Sequence, residues 1–299
     1  MAAYPPPPGA SSDPGTPRTC YRHTDRETGV GCTRCGNPIC PDCMVEASVG
    51  FQCPSCVAEG NRGVRSGRTT FGGKVVVKPY VSWTILVMMV VGFVLQLGTS
   101  DPIGQATRSP LVSMFSMWGA GAVLYGEWYR LITAAFLHGG IFHLLFNGYA
   151  MFILGPQLER WLGHGRFLAL WILGALSGSV LSLIAAPAQP SVGASGAIFA
   201  LFGAVFVIGR SLRLDMRMIM VLLVLNLGIT FLVPAISWTA HIGGLVGGLV
   251  IGAIFAHLPG RSVKGARRTV VHTLLLAAFA VLLVILSLTG PRLWGLFLG

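Results

Sequence analysis

Four polar residues stand out in otherwise apolar stretches of this sequence: His143, Asn147, Ser195 and His241. A serine hydroxyl is a weak nucleophile until a base takes its proton, and His241 has the right chemistry for that base. Attack on an amide creates an oxyanion. His143, the side-chain amide of Asn147 and the backbone N–H of Ser195 can each donate to it, and such donors are worth about 3 kcal/mol each in soluble proteases. Asp215 is the only acidic residue after Glu159, so no carboxylate accompanies His241. The set is therefore a Ser–His dyad rather than a triad. The segment Gly193-Ala194-Ser195-Gly196-Ala197 is not a Gly-x-Ser-x-Gly elbow, because Ala197 stands where the last glycine belongs.

A second chemistry lies near the N-terminus. Cys20-x-x-His23, Cys32-x-x-Cys35, Cys40-x-x-Cys43 and Cys53-x-x-Cys56 use all seven cysteines and one histidine. Eight ligands in four such pairs suit two tetrahedral, structural Zn2+ sites. A gap of two lets both side chains of a pair reach one metal from a tight turn, and Gly36, Pro38, Pro41 and Pro54 supply turn residues. Spacing alone leaves open which pairs share an ion. No pair has the Cys-x-x-Cys-His form of a haem site, and disulfides need an oxidising compartment. Fewer than forty residues span the ligands, so metal rather than an apolar core is expected to hold this module. No metal is expected in the catalysis.

The elements that must position the first group are membrane helices. The 299 residues are 53% hydrophobic and only 10% charged, against about 25% charged in soluble domains, and the mean hydropathy is +0.71. These values exclude a soluble globular domain and a disordered chain. Seven apolar stretches, at about 80–99, 139–158, 166–186, 194–210, 217–234, 238–257 and 269–289, are each near the ~20 residues that cross ~30 Å of hydrocarbon as a helix. The alternation of a β-barrel is absent. With the N-terminus in the cytoplasm, 18 of the 21 Lys and Arg fall inside; only Arg108, Arg130 and Arg292 fall outside. This bias predicts a cytoplasmic N-terminus and an external C-terminus. The pI near 9.9 is then mostly topology, and nucleic acid is not an expected partner. A lipid-facing role stays open for the basic linker 61–78 and the 261–268 cluster.

In this topology the second, fourth and sixth spans all enter from outside. At ~1.5 Å per residue, His143, Ser195 and His241 share one level in the outer third of the bilayer. Asn147 lies one turn from His143 on the same face. Gly244, Gly248 and Gly252 on the sixth span, and Gly196, Ala200 and Gly203 on the fourth, allow close backbone approach. Convergence of the four polar residues follows if these helices touch.

The same residues resemble those of the rhomboid intramembrane serine proteases. The matching elements are Glu127-Trp128-Tyr129-Arg130, His138-x4-His143-x3-Asn147, Gly193-Ala194-Ser195-Gly196 and Ala240-His241-x-x-Gly244-x3-Gly248, spread in order over about 80–257. The resemblance implies Ser195 as nucleophile and His241 as general base, with His143, Asn147 and the Ser195 amide as oxyanion donors. It implies that Arg130 and His138 hold the loop between spans one and two, and that Phe199 packs on the catalytic histidine where Tyr is frequent. Glu159-Arg160 fits as a structural pair. The cysteine spacing resembles a B-box-type zinc finger, which implies that alternate pairs share a metal: Cys20, His23, Cys40 and Cys43 on one, Cys32, Cys35, Cys53 and Cys56 on the other.

The expected fold class is thus an all-α polytopic membrane protein, a rhomboid-like six-helix core plus one C-terminal helix, with a small N-terminal zinc module. The expected organisation is a disordered Pro-rich tail at 1–17, the zinc module at 18–60, the basic linker at 61–78, the core at 79–258, and a basic loop with the seventh helix at 259–299. The protein is read as integral to a bacterial plasma membrane, with its site open to the outer side. Its partners would be the bilayer, membrane-protein substrates presenting transmembrane helices, and a cytoplasmic protein for the zinc module. The rival reading is a non-catalytic rhomboid-like adaptor that binds spans and recruits partners through that module. Trp238 reads as a gate or an interfacial anchor, Asn226 as a helix–helix contact, and His164, His257 and His272 as interfacial. The stretch 111–125 reads as a half-inserted element rather than a span.

Overall fold

The computed structural model describes residues 18–63, 67–100, 105–260, 262–263 and 265–293. The tail at 1–17 lies outside the described residues. The chain divides into two compact units, 1–66 and 67–299.

The first unit is small. A 3-10 turn (Pro41–Cys43) precedes two short antiparallel strands, β1 (Val45–Glu46) and β2 (Phe51–Gln52), and one helix, α1 (Pro54–Asn61). Its buried cluster is six cysteines with Ile39. Gly36, at φ +77°, turns the chain tightly enough for its N–H to reach the Cys32 carbonyl at 2.8 Å, a conformation that favours glycine. Cys53 caps α1, its sulfur accepting from the Cys56 N–H at 3.3 Å, with Pro54 at the first helical position.

The second unit is a helical bundle. Its long elements are α2 (Tyr80–Thr99), α6 (Ile141–Leu162), α7 (His164–Ala185), α8 (Ser195–Ser211), α9 (Arg217–Leu232), α10 (Trp238–His257) and α11 (Gly265–Thr289). Between α2 and α6 run three short helices, α3 (Pro110–Phe115), α4 (Gly119–Leu124) and α5 (Arg130–Thr133). Among the described residues five helices are long and apolar enough to cross a membrane; α8 and α9, with 17 and 16 residues, are shorter. At ~1.5 Å per residue, α8 is about 26 Å long. Before it, Ser191 pairs with Met117, and the Gly193 N–H donates to the Ala134 carbonyl at 2.9 Å. All seven apolar stretches are therefore helices, and the protein is an all-α integral membrane protein. The stretch 111–125 does not span but breaks into α3 and α4.

α8 is the central helix, buried along most of its length. The glycines of α10 let it lie against α8 backbone to backbone: a Cβ at Gly244 would collide with the Gly196 carbonyl, and one at Gly248 with Ala200. On its other side α10 meets α7, where Gly243 abuts Ser177 and Gly178. Such close approach supplies packing where no hydrophobic effect operates between helices. By contrast, only Leu223 and Thr230 of α9 are buried.

Two contacts of this unit leave no pattern in the sequence. The basic segment 61–78 packs onto the helices from residue 67: Phe71 is buried among them, and Gly73 meets the backbone of Leu162 and Gly163. Apolar Phe71 and Val76, unlike the cations around them, gain by leaving water. The buried carboxylate of Glu159 caps α2, accepting from the N–H groups of Val81 (3.1 Å) and Ser82 (2.8 Å) and from the Ser82 hydroxyl (2.5 Å). An anion at a helix N-terminus is favourable.

Candidate active site

Ser195 is the first residue of α8, so its N–H has no acceptor within the helix. Its hydroxyl makes no hydrogen bond among the described residues. On α10, His241 is 7% exposed and tightly held. Phe199, one turn along α8 from Ser195, stacks on its ring, with centroids 4.1 Å apart and planes at 18°. The Thr230 hydroxyl lies 2.6 Å from His241 Nδ1. The same hydroxyl donates to the Asn226 carbonyl at 2.7 Å. A hydroxyl has one proton to give, so toward the imidazole it must accept. That assigns the proton to Nδ1 and leaves the Nε2 lone pair free as a base. The neighbours Gly196 and Ala240 are in contact, the Ala240 carbonyl being 3.3 Å from an ideal Cβ at Gly196. Ser195 and His241 each adjoin this contact.

His143 and Asn147 approach from α6. The Gly139 N–H donates to His143 Nδ1 at 3.3 Å, so the other nitrogen, Nε2, carries the ring proton. That nitrogen is 2.6 Å, and Asn147 Nδ2 3.7 Å, from where a Cβ at residue 193 would stand. Gly193 has φ +123°, so glycine is required twice over: for the backbone and to leave the donors room. Among the described residues the Asn147 Nδ2 is buried without a hydrogen-bond partner. A buried donor left unpaired costs about 1–3 kcal/mol, and such a cost points to an acceptor that arrives with a ligand. Beside these groups a cleft of about 20 Å³, lined by Gly193, Ser195 and Ala240 among others, has room for a water.

The other sequence-selected residues surround this centre. Arg130, buried, donates to Glu127 at 2.6 Å and to the carbonyls of Ser113 (2.9 Å) and Ser116 (3.1 Å), tying α3 to the chain before α5. The His138 ring packs edge-on against His143, with centroids 5.2 Å apart. Gly244 lets α10 close on Gly196. Trp238 is exposed at the start of α10, and Asn226 donates within its own helix to Leu222 at 2.8 Å. Two residues of this region escaped the sequence reading. Thr230 is one; a hydroxyl in α9 one turn from Asn226 was its only signal. Gln96 is the other: fully buried in α2, it accepts from the His138 N–H at 2.8 Å and donates to the His138 carbonyl at 3.1 Å. A lone amide in an apolar helix was the clue.

Residues 125–258 match the Rhomboid domain family model. The chain is 37% identical over 193 residues to the rhomboid protease GluP of Bacillus subtilis, covering 63% of this chain and 37% of that protein. It is 39% identical over 136 residues to the putative rhomboid protease YdcA of Bacillus subtilis, covering 43% of this chain and 68% of that one. The chain belongs to the rhomboid family. Its likeness to rhomboid-like protease 5 of Toxoplasma gondii is 35% over 173 residues, 52% of this chain and 20% of that rhomboid. The chain thus spans well under half the length of two of these three rhomboid relatives, and two thirds of the third.

The first unit holds two candidate metal centres. Cys20, His23, Cys40 and Cys43 form one group and Cys32, Cys35, Cys53 and Cys56 the other, the ligand atoms of each within 4.8 Å of one another. Alternate pairs therefore come together. His23 Nδ1 is 3.3 Å from Cys40 Sγ and 3.4 Å from Cys43 Sγ, and Cys35 Sγ is 3.8 Å from Cys53 Sγ. The last distance is nearly twice a disulfide bond and close to the edge of a tetrahedron with metal–sulfur bonds of about 2.3 Å. Burial raises the Cys20 thiol, but backbone hydrogen bonds at Arg22, Cys40 and His23 outweigh it and bring it to about 6. Burial and then the neighbouring Cys20 and Cys40 push Cys43 up to about 11. Crowded thiolates repel one another, and a cation among them is the natural counter-charge. Either group can hold a metal ion.

Proposed function

We propose that this rhomboid is an intramembrane serine endopeptidase that hydrolyses peptide bonds in or near the transmembrane helices of other membrane proteins. The observation that carries the reading is the pair of donors, His143 Nε2–H and the unpartnered Asn147 amide, meeting at the Gly193 turn two residues before Ser195. Ser195 Oγ attacks the scissile carbonyl while His241 Nε2 takes its proton. The carbonyl oxygen, now an oxyanion, accepts from His143, Asn147 and the Ser195 N–H. His241 then gives the proton to the leaving amine. Water hydrolyses the acyl-enzyme, with His241 again as base. A helical amide hides its carbonyl, so a substrate must unwind locally, which favours Gly, Ala or Pro near the cut.

The charge bias supports an orientation with the N-terminus in the cytoplasm and this site near the outer face, in a bacterial plasma membrane. In that orientation the first unit is a cytoplasmic zinc module of B-box type, its two Zn2+ ions structural and outside the reaction. Its ligands would be Cys20, His23, Cys40 and Cys43 for one ion and Cys32, Cys35, Cys53 and Cys56 for the other, and its surface would recruit a cytoplasmic protein.

The test is cleavage of a transmembrane reporter in liposomes. Wild type should cut within the outer third of the reporter helix; binding without cutting would favour the adaptor reading instead. Asn147→Ala should lower kcat about 10²-fold with KM little changed, since its donor acts on an oxyanion absent from the ground state. Its thermal midpoint should not fall by more than a degree or two, because the amide has no partner to lose. Thr230→Val should lower kcat about tenfold and shift its pH profile, since the ring loses the acceptor that fixes its tautomer; Thr230→Ser should restore both.

A further inference from the structure

A second cavity lies away from the catalytic residues. It is an open crevice of about 600 Å³ between α7, α11 and the segment 73–74. Its walls include Leu162, Ala169, Ile172, Leu173, Leu276 and Ala277 with buried His272, and its mouth carries Lys74, His164 and Arg166. From His164 to Leu173 the wall of α7 runs about 14 Å. An apolar chamber of that depth under a basic mouth matches an amphiphile with a negative head.

The basic mouth is more crowded than that set implies. The guanidinium of Arg166 and the side chain of Arg268 both approach Gly72: an ideal Cβ there would stand 3.7 Å from Arg166 Nη2 and 3.6 Å from Arg268 Cδ. Arg68 donates to the Gly72 carbonyl at 3.2 Å. Among the described residues no carboxylate pairs with any of the three or with Lys74. Glu159, bonded to Val81, Ser82 and His164, is already engaged. Among the described residues the Arg268 Nε is buried with no hydrogen-bond partner, while its terminal nitrogens donate to the carbonyls of Thr70 at 3.5 Å and Phe255 at 3.4 Å. Arg166 is instead held by neutral groups, donating to His272 Nδ1 and to the Thr269 hydroxyl, each at 3.1 Å, while His272 Nε2 donates to the Leu258 carbonyl at 2.6 Å. Guanidinium groups fixed in place without an anion are suited to a phosphate, which they bind through paired N–H donors.

We propose that this crevice binds an anionic phospholipid of the bilayer, its phosphate at Arg166, Arg268 and Lys74 and an acyl chain along α7 and α11. The seventh helix, which takes no part in the proposed chemistry, then supplies one wall of a lipid site. The proposal does not rest on the protease reading, since its readout is binding.

The test uses the full chain in neutral detergent, with phosphatidylglycerol and phosphatidylcholine of identical chains as probes in native mass spectrometry. Phosphatidylglycerol should be retained at least tenfold more strongly and should raise the thermal midpoint. The double variant Arg166→Gln, Arg268→Gln should lose at least tenfold in that affinity, at about fivefold per cation near the headgroup. Lys74→Gln, at an exposed position that leaves the packing intact, should lose several-fold even if the double variant does not fold. Ala169→Phe, which fills the chamber and keeps every charge, should also weaken lipid retention. Equal retention of the two lipids would overturn the proposal, as would wild-type affinity in Lys74→Gln and Ala169→Phe. Competition by inorganic phosphate as strong as by the lipid would also overturn it, by showing an aqueous anion site.

Discussion

Ser195→Ala should slow cleavage of a transmembrane reporter about 10⁶-fold, and His241→Ala by a similar factor, on the scale seen when nucleophile or base is removed from a serine protease. The two losses should not add: a base without its nucleophile has no proton to take, so the double variant should be about as slow as either single one. A residual rate above the uncatalysed one should survive, because His143, Asn147 and the residue-195 N–H remain. Neither change should unfold the protein. Among the described residues the Ser195 hydroxyl makes no hydrogen bond to lose, and an alanine at 241 leaves Phe199 within the core. A fall in thermal midpoint of ten degrees in Ser195→Ala would mean that the serine is structural. The measurement is initial rate against reporter concentration in liposomes, beside a melting curve for each variant.

The second large effect concerns the N-terminal unit. Its interior is cysteine with a single isoleucine, so it has almost no apolar burial to set against chain entropy. Structural zinc contributes about 10–16 kcal/mol of apparent binding free energy in zinc-finger peptides, and loss of that term should unfold residues 18–60. Metal analysis should find two zinc ions per chain. A strong chelator should remove both and expose the region to protease, while the helical unit keeps its melting behaviour. Cys40→Ser should reduce the content toward one zinc if the two centres form separately. A zinc content near zero in protein purified without chelator, with the unit still protease-resistant, would defeat this assignment.

Much of this molecule was legible in its sequence because lipid allows so few polar residues. In spans with almost no charge, His143, Asn147, Ser195 and His241 were conspicuous, and helical rise placed them at one depth. The Gly244, Gly248 and Gly252 stripe said which face of α10 would meet another helix, and it meets α8. Thr230 and Gln96 were harder to find. A threonine bonded only to its own helix and one also bonded to a buried histidine ring look alike in sequence, and what separates them is the tertiary partner. Thr230 matters because its proton goes to the Asn226 carbonyl, which forces the tautomer of His241. Cations dominate the basic segment 61–78, yet from residue 67 Phe71 and the fit of Gly73 against Leu162 hold it to the helices. Backbone proximity of that kind leaves no periodic trace in a sequence.

The most direct test of the catalytic account is covalent labelling read by peptide mass spectrometry. Wild-type protein that cleaves the reporter is treated with a fluorophosphonate, digested and sequenced. The adduct should map to Ser195, appear in step with loss of cleavage, and be absent or strongly slowed in His241→Ala. Full cleavage by Ser195→Ala, or complete inhibition with the adduct on another residue, would contradict it.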